Sequence, residues 1–421
     1  MSLTLFRLAA RSLWHRRVTL ALVTLTLSLS VALLLGVQYL RTEVKASFLS
    51  TISGTDLIVG ARSGPSNLLL YSVFHLGNAT NNIGWSTFET IRQNDAVKWA
   101  VPISLGDAYR GFRVVGTTHA FFEHYRYRNG TPLTWQAGSP FGGVFEAVVG
   151  AEVARQENLS VDDEIVLSHG SGSVSFVDHG DHPFRIRGVL ERTGTPIDRS
   201  VMVSLAAIEA IHLGWESGVP NPNQVISAAD AKASDLTPDS ITAALLGVHR
   251  PVQTFRLQRQ LNTSSEEPLT AILPGVALAE FWTILGGFEA ALLVVSGFVV
   301  ITGLVGLAAV LLTAQAQRNR EMAILRANGA SPGHIAGLFG LECVLVAMTA
   351  SLSGMLLWYL SIGLLGPLLQ AEWGLMIGWR WPYALEWALL AAVPGFALLI
   401  SLVPAAQAYR RTLSDGLNPR E

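Results

Sequence analysis

Four stretches of this chain are too long and too apolar for the core of an ordinary soluble domain. Thr19–Tyr39 (TLALVTLTLSLSVALLLGVQY) carries no charge, and neither does Ala290–Leu312. Ile335–Leu365 is interrupted only by Glu342, and Tyr383–Ala406 only by Glu386 near its start. Crossing a bilayer takes about 20 predominantly apolar residues, so each run reads as a transmembrane helix. The first run exceeds a signal-peptide h-region and shows no small-residue cleavage site before Arg41 and Glu43, so it reads as a retained span.

Arginine placement orients the spans. Arg7, Arg11, Arg16 and Arg17 precede the first; Arg318, Arg320 and Arg326 lie between the second and third; Arg410, Arg411 and Arg420 follow the fourth. The segment between the third and fourth carries Arg380, balanced by Glu372. With four spans all three basic clusters fall on one side, which puts both termini in the cytoplasm. The expected fold is therefore an integral membrane α-helical protein of four transmembrane helices, with a large mixed α/β extracytoplasmic domain inserted between helices 1 and 2. Its segments are 1–40 (amphipathic N-terminal helix and first span), 41–279 (outer domain), 280–313 (second span), 314–333 (cytoplasmic helix), 334–366 (third span), 367–382 (outer loop), 383–409 (fourth span) and 410–421 (tail). In LFRLAARSLWHRR, Leu5, Leu8 and Ser12 share one helical face and Arg7 and Arg11 another. That suits a helix lying on the inner membrane surface as well as a basic flank that only sets topology.

Within the outer domain DLIVGA, FRVVGTT, EAVVGAEVA, DEIVLSHG and FRIRGVLERTG read as short strands ending in glycine turns. STFETIRQN and LAAIEAIHLG read as short helices. SAADAKASDLTPDSITAALLGVHR reads as a loop followed by a short helix started by Thr237–Pro238. SNLLLYSVFHLGNATNNIG, Ser66–Gly84, is an apolar run outside the membrane, suited to core burial or to an acyl chain or protein partner.

Several chemistries are missing from the sequence. There is no Gly-x-x-x-x-Gly-Lys-Ser/Thr to cradle nucleotide phosphates and no His-Glu-x-x-His. Glu289, Glu342 and Glu386 are few intramembrane ionisable groups for a proton-driven carrier. An enzyme and a secondary transporter are both disfavoured. A net charge of −2 gives no basis for a nucleic-acid partner. The single cysteine, Cys343, allows neither an internal disulfide nor a cysteine metal site.

The stretch QAQRNREMAILRANGASPGH, Gln315–His334, is a dense charged segment wedged between two apolar runs. Arg318, Met322 and Leu325 share a face by i, i+4, i+7 spacing. Gly329 is a helix break, Ser331 an N-cap and Pro332 a first helical residue. The product is a short cytoplasmic helix with an apolar ridge and charged edges, fit to dock in a partner's groove or to serve as a solvated turn of positive-inside charge.

REMAILRANGAS, Arg320–Ser331, is similar to the REIAVLRALGAS-like signature between the second and third spans of FtsX/MacB/LolC-type permeases, the mechanotransmission (type VII) class of ABC transporters. VVGTTHAFFEHYRYRNGTPL, AVVGAEVARQENLSVDDEIVL, FRIRGVLERTGTPIDRSVMVSL and VPAAQAYRRTLSDGL resemble further family blocks in the same order, so the resemblance covers most of the chain. Two departures stand out: Asp162-Asp163-Glu164 replaces the usual Val-Gly-Asp turn, so that hairpin is expected to be built differently, and the segment at Asp415 differs from the common Pro-x-x-Ala-Leu ending.

The resemblance implies a multi-pass permease of the bacterial inner membrane with a MacB-like domain in the periplasm. It would work as two permease chains, as a homodimer, with a cytosolic ATP-binding subunit that holds ATP and Mg²⁺; this chain would need no cofactor. Arg318, Arg320, Glu321, Met322, Leu325 and Arg326 would contact the ATPase, and Gly329 and Ala330 would let the turn pack closely. Glu342 falls where the family often keeps an acidic or amide residue, although a carboxylate near the inner headgroups is the plainer reading. The implied task is lipid or lipoprotein extraction, efflux, or activation of a periplasmic partner, with a receptor-like sensing subunit as the other reading. His169, Asp178, His179, Asp181 and His182 crowd one expected hairpin of the outer domain. These are ligands suited to Zn²⁺, and equally the composition of a polar hairpin tip.

Overall fold

The computed structural model describes residues 17–128, 130–169, 177–178, 183–213, 235–317, 324, 327, 329–373 and 379–414. The chain divides at Val44 and Ile284: Lys45–Ile284 form an α/β unit, and the spans form a helical one. Helix α1 spans Arg17–Leu49.

The α/β unit follows, with strands β1 (Leu57–Ala61), β2 (Val97–Tyr109), β3 (Phe112–Thr117), β4 (Trp135–Gly138), β5 (Glu146–Val149), β6 (Ser168–His169), β7 (Val177–Asp178), β8 (Phe184–Leu190), β9 (Ser200–Ser204), β10 (Ala243–Val248) and β11 (Leu269–Ile272). Between them run α2 (Pro65–Val73), α3 (Trp85–Arg92), α4 (His119–His124), α5 (Ala151–Glu157), α6 (Leu205–His212) and α7 (Pro251–Asn262). One sheet runs through the unit in the order β11-β1-β10-β2-β3-β9-β5-β8-β4. The β9–β3 and β8–β5 pairs are parallel, and the other pairs along this path are antiparallel.

The long strand β2 joins two halves of that sheet. Val97–Ile103 pair with β10, and Ser104–Tyr109 pair with β3 across a register shift. Both faces are covered. Ile58, Val115, Met202 and Leu245 join one core across the whole sheet, whereas Leu57 and Leu246 lie in a second core and Val114, Val201 and Val203 in a third on the other face. A strand buried on both faces has no polar face to alternate, so it reads as an unbroken apolar run.

That is why one expectation fails. The segment after Thr237–Pro238, read as a short helix, forms the central strand β10 (AALLGV), all six residues buried. A short apolar run with alanine and leucine fits a buried strand as well as a helix. The helix comes later, with Pro251 in its first turn. EAVVGAEVA is likewise a strand and then a helix, β5 and α5, rather than a strand alone. The Ser66–Gly84 run resolves towards core burial: Leu68, Leu69, Tyr71 and Val73 of α2 are buried. In the departing turn, Asp162 adopts φ +74°, the left-handed conformation that glycine supplies most easily.

The helical unit comprises α1 with α8 (Pro274–Gln317), α9 (Pro332–Trp373) and α10 (Ala384–Ser414). Arg17–Ala46, Gly286–Thr313, Gly333–Leu368 and Ala384–Ala406 are long and apolar enough to cross a membrane. Leu27, Val31 and Leu35 of α1 pack with Leu304 and Leu307 of α8, Cys343 and Ala347 of α9, and Val393 and Ala397 of α10. At Gly354 the backbones of α9 and α1 approach so closely that a Cβ would lie 2.7 Å from the Ser28 carbonyl oxygen. The Ser28 and Ser353 hydroxyls meet beside it at 2.6 Å. Small residues and hydroxyl pairs of this kind hold helices together in lipid, where burial alone gives no drive.

Buried His75 shows how the α/β unit responds to acid. Its ring Nδ1 lies 2.9 Å from the Ser200 hydroxyl, whose own proton goes to the Pro196 carbonyl, so the imidazole donates. Burial, and secondarily the Arg113 guanidinium, lower its pKa from 6.5 to about 4. Above pH 6.5 the ring is neutral folded or unfolded; below it only the unfolded chain takes the proton. Stability is therefore expected to fall by on the order of 3 kcal/mol between pH 6.5 and 4, and His75→Asn to flatten that slope. Hydrogen-exchange protection of the Ser200–Ser204 amides against pH measures it; an equal slope in both chains would exclude His75 as the cause.

Candidate coupling site

Most of the residues expected to meet the ATPase lie outside the described residues: Arg318, Arg320, Glu321, Met322, Leu325 and Arg326. Within the same segment Ile324 and Ala327 are helical and exposed. Gly329 has φ +88°, so the helix break expected there needs a residue free of the Cβ penalty. Ala330 is half-buried.

Helix α9 then begins at Pro332 as the sequence suggests, with one feature added. The Ser331 carbonyl accepts from the His334 amide at 2.9 Å, the Ser331 amide donates to His334 Nδ1 at 3.1 Å, and the Ser331 hydroxyl lies 2.7 Å from the same nitrogen. This is the return half of a capping box, with histidine in place of the usual glutamate. It fixes the direction in which the segment before α9 leaves the helix. Glu342, about two and a half turns into the third span, is buried within the helical unit at 2% exposure.

At the opposite end of the bundle, where α1 and α8 lead to the α/β unit, sits an arrangement that sequence reading missed. Arg380 donates from Nη1 and Nη2 to both carboxylate oxygens of Glu386, at 2.8 and 2.7 Å. Its Nε donates to Glu43 of α1 at 2.8 Å. The guanidinium lies between the rings of Tyr39, 4.3 Å away, and Tyr383, 4.0 Å away. Its backbone carbonyl accepts from the Tyr359 hydroxyl of α9 at 2.7 Å. Burial opposes the charge on Arg380, but its hydrogen bonds to Glu386 and Glu43 outweigh that and raise its pKa above the ordinary arginine value. Glu386 also accepts from the Tyr383 amide at 2.8 Å, capping α10, where the helix dipole favours a negative charge. Two residues before Glu43, Arg41 donates to Glu289 of α8 at 2.6 Å.

Local signals for this clasp existed: an arginine between two tryptophans, with a glutamate three residues after Tyr383. Trp379 and Trp381 are exposed, as suits side chains at headgroup level. The contact with Glu43, 337 residues away in the chain, carries no local signal.

The expected metal loop is described only in part. Its base is a hairpin, with Ser168 opposite Asp178 and His169 opposite Val177, and β6 also pairs with β2. His179, Asp181 and His182 lie outside the described residues. Among the described residues no group of three or more histidine, cysteine, aspartate or glutamate side chains could hold a metal ion.

Two family models account for nearly all of this architecture. The MacB-like periplasmic core domain matches residues 20–244, more than half of the chain, and the FtsX-like permease C-terminal domain matches residues 293–416. The chain belongs to the FtsX/MacB-like ABC permeases. Two solved structures show a distant similarity to the chain. The periplasmic region of MacB from Actinobacillus actinomycetemcomitans is 9% identical, with 56% of this chain and 94% of that one covered and a TM-score of 0.35. The extracellular domain of the noncanonic ABC-type transporter YknZ from Gram-positive bacteria is 12% identical, with 52% and 99% covered and a TM-score of 0.30. No curated protein matches the chain in sequence. The permease is thus a bacterial inner-membrane protein with a periplasmic domain between its first span and the rest.

Arg380→Ala should destabilise the permease by about 3 kcal/mol, because it leaves the nearly buried Glu386 without a counter-charge. Arg380→Lys should recover part of that, keeping the charge but losing the fork and the stacking. Denaturation of the solubilised chain tests this, with exposed Trp381→Ala as the reference; an Arg380→Ala loss no greater than the reference would contradict it.

Proposed function

We propose that this ABC permease subunit turns ATP hydrolysis in a separate cytosolic ATPase into movement of its periplasmic domain. The observation that supports this is the continuity of two helices. α1 runs unbroken from Arg17 to Leu49 and α8 from Pro274 to Gln317, each joining a bilayer-length span to residues of the α/β unit. At 1.5 Å rise per residue these helices are about 50 and 66 Å long. A continuous helix passes a displacement along its length, where a flexible linker would absorb it.

In this reading the cytoplasmic segment from Arg318 to Ala330 docks on the ATPase, which holds ATP and Mg²⁺. Arg318, Arg320 and Arg326 supply charge at its edges, and Met322 and Leu325 supply the apolar ridge. The arginine clusters support a topology with both termini on the cytoplasmic side. The permease works as a pair of chains, and the moving domain acts on a lipid, a lipoprotein or another envelope protein.

Capture of the tagged chain from native membranes tests the reading. The wild-type chain should retain an ATP-binding subunit, and the Leu325→Asp, Arg326→Glu variant should lose it by about tenfold or more, as expected when hot-spot residues of an interface are reversed. Equal retention by both chains would move the contact elsewhere, and retention of no ATPase by either would remove the basis for the proposal.

A further inference from the structure

Of the two helices that lead to the α/β unit, only α8 is joined covalently to the cytoplasmic segment at 314–333. That segment lies between α8 and α9, so a push on it moves both directly. Helix α1 is separated from it by the whole α/β unit and by α8. Any share of the motion that α1 takes within the bundle must cross side-chain contacts.

Besides the apolar packing along the bundle, which includes Tyr39 of α1 against Trp358 of α9, polar contacts occur at two levels. At mid-span α1 meets α9 through the Ser28–Ser353 hydroxyl pair and the close approach at Gly354. At the end leading to the α/β unit, two separate charged contacts tie α1 to its neighbours. Arg380 holds Glu386 of α10 and Glu43 of α1, and its carbonyl is held by Tyr359 of α9. Independently, Arg41 of α1 holds Glu289 of α8. Glu43 and Arg41 lie within one turn of Val44, where α1 passes into the α/β unit.

We propose that Arg380, acting through Glu43, is the positioning residue that carries displacement of α9 and α10 into α1, so that α1 and α8 drive the periplasmic domain together. The chemistry suits a stiff joint. A guanidinium stays protonated and presents its donors in a fixed plane. Here two donors are fixed by Glu386, the plane is held between Tyr39 and Tyr383, and the remaining Nε points at Glu43. Glu43 is the charged link from Arg380 to α1, beside the Tyr39 ring, and removing it leaves the Arg380–Glu386 fork and the cap of α10 intact. This proposal rests on the mechanotransmission reading above.

The test uses the full chain in complex with its co-isolated ATPase. Cys343 is fully buried, so a cysteine at exposed Lys45 on α1, or in a separate sample at exposed Ile284 on α8, takes an environment-sensitive fluorophore alone. In the wild-type complex both probes should respond to ATP with vanadate. In Glu43→Ala the Lys45 response should fall about threefold or more, while the Ile284 response and ATP hydrolysis stay within about twofold, the size of effect that residues along a coupling route produce. Glu43→Gln, which keeps an acceptor for Nε, should fall between. An unchanged Lys45 response in Glu43→Ala would overturn the proposal. So would an equal loss at both probes together with lost hydrolysis, since that marks a folding defect. If neither probe responds in a wild-type complex that hydrolyses ATP, the mechanotransmission reading fails and the joint fails with it.

Discussion

A guanidinium pinned between two carboxylates and two aromatic rings fixes the end of the bundle from which the periplasmic domain is strung. Charges placed this close to a bilayer are costly unless each is answered, and here the answers come from different helices. Glu43 belongs to α1, Glu386 opens α10 and Tyr359 reaches from α9. Lipid gives apolar helices little reason to prefer one another over acyl chains. A directional network at one end, with hydroxyl and glycine contacts at mid-span, therefore specifies how these spans pack. Large apolar side chains on every helix then face lipid without weakening the bundle.

The α/β unit meets a different requirement. Its sheet is covered on both faces, and β2 is shared by both halves, so each half is completed by the same strand. A domain organised around one long central strand has few internal seams at which to flex. That suits the proposal that the domain moves as a whole.

What the sequence made legible follows the range of each interaction. The spans depend on local composition, and all four appear as helices. Gly329, Ser331 and Pro332 act within one turn of chain, and the helix start they signalled is present. The strands that end in glycine turns were visible for the same reason. β10 was misread because burial on both faces removes the alternation that separates a strand from a helix. Arg380 was read only as a loop charge set against Glu372, since its partners are chosen by the packing of distant helices. His334 was passed over because a histidine at the third helical position is an unusual way to close a capping box.

The central claim is that unbroken helices deliver ATP-driven motion to the periplasmic domain. Its most direct test is a short Gly-Ser insertion after Leu285, which breaks α8 between its span and the α/β unit without touching the cytoplasmic segment. Nucleotide-dependent hydrogen exchange across β10 and β11 is then compared in complexes with and without the insertion. The expected result is an ATPase that still binds and hydrolyses ATP while the exchange of the domain no longer responds to nucleotide. A domain that responds as fully with the insertion as without it would show that the motion does not travel along α8.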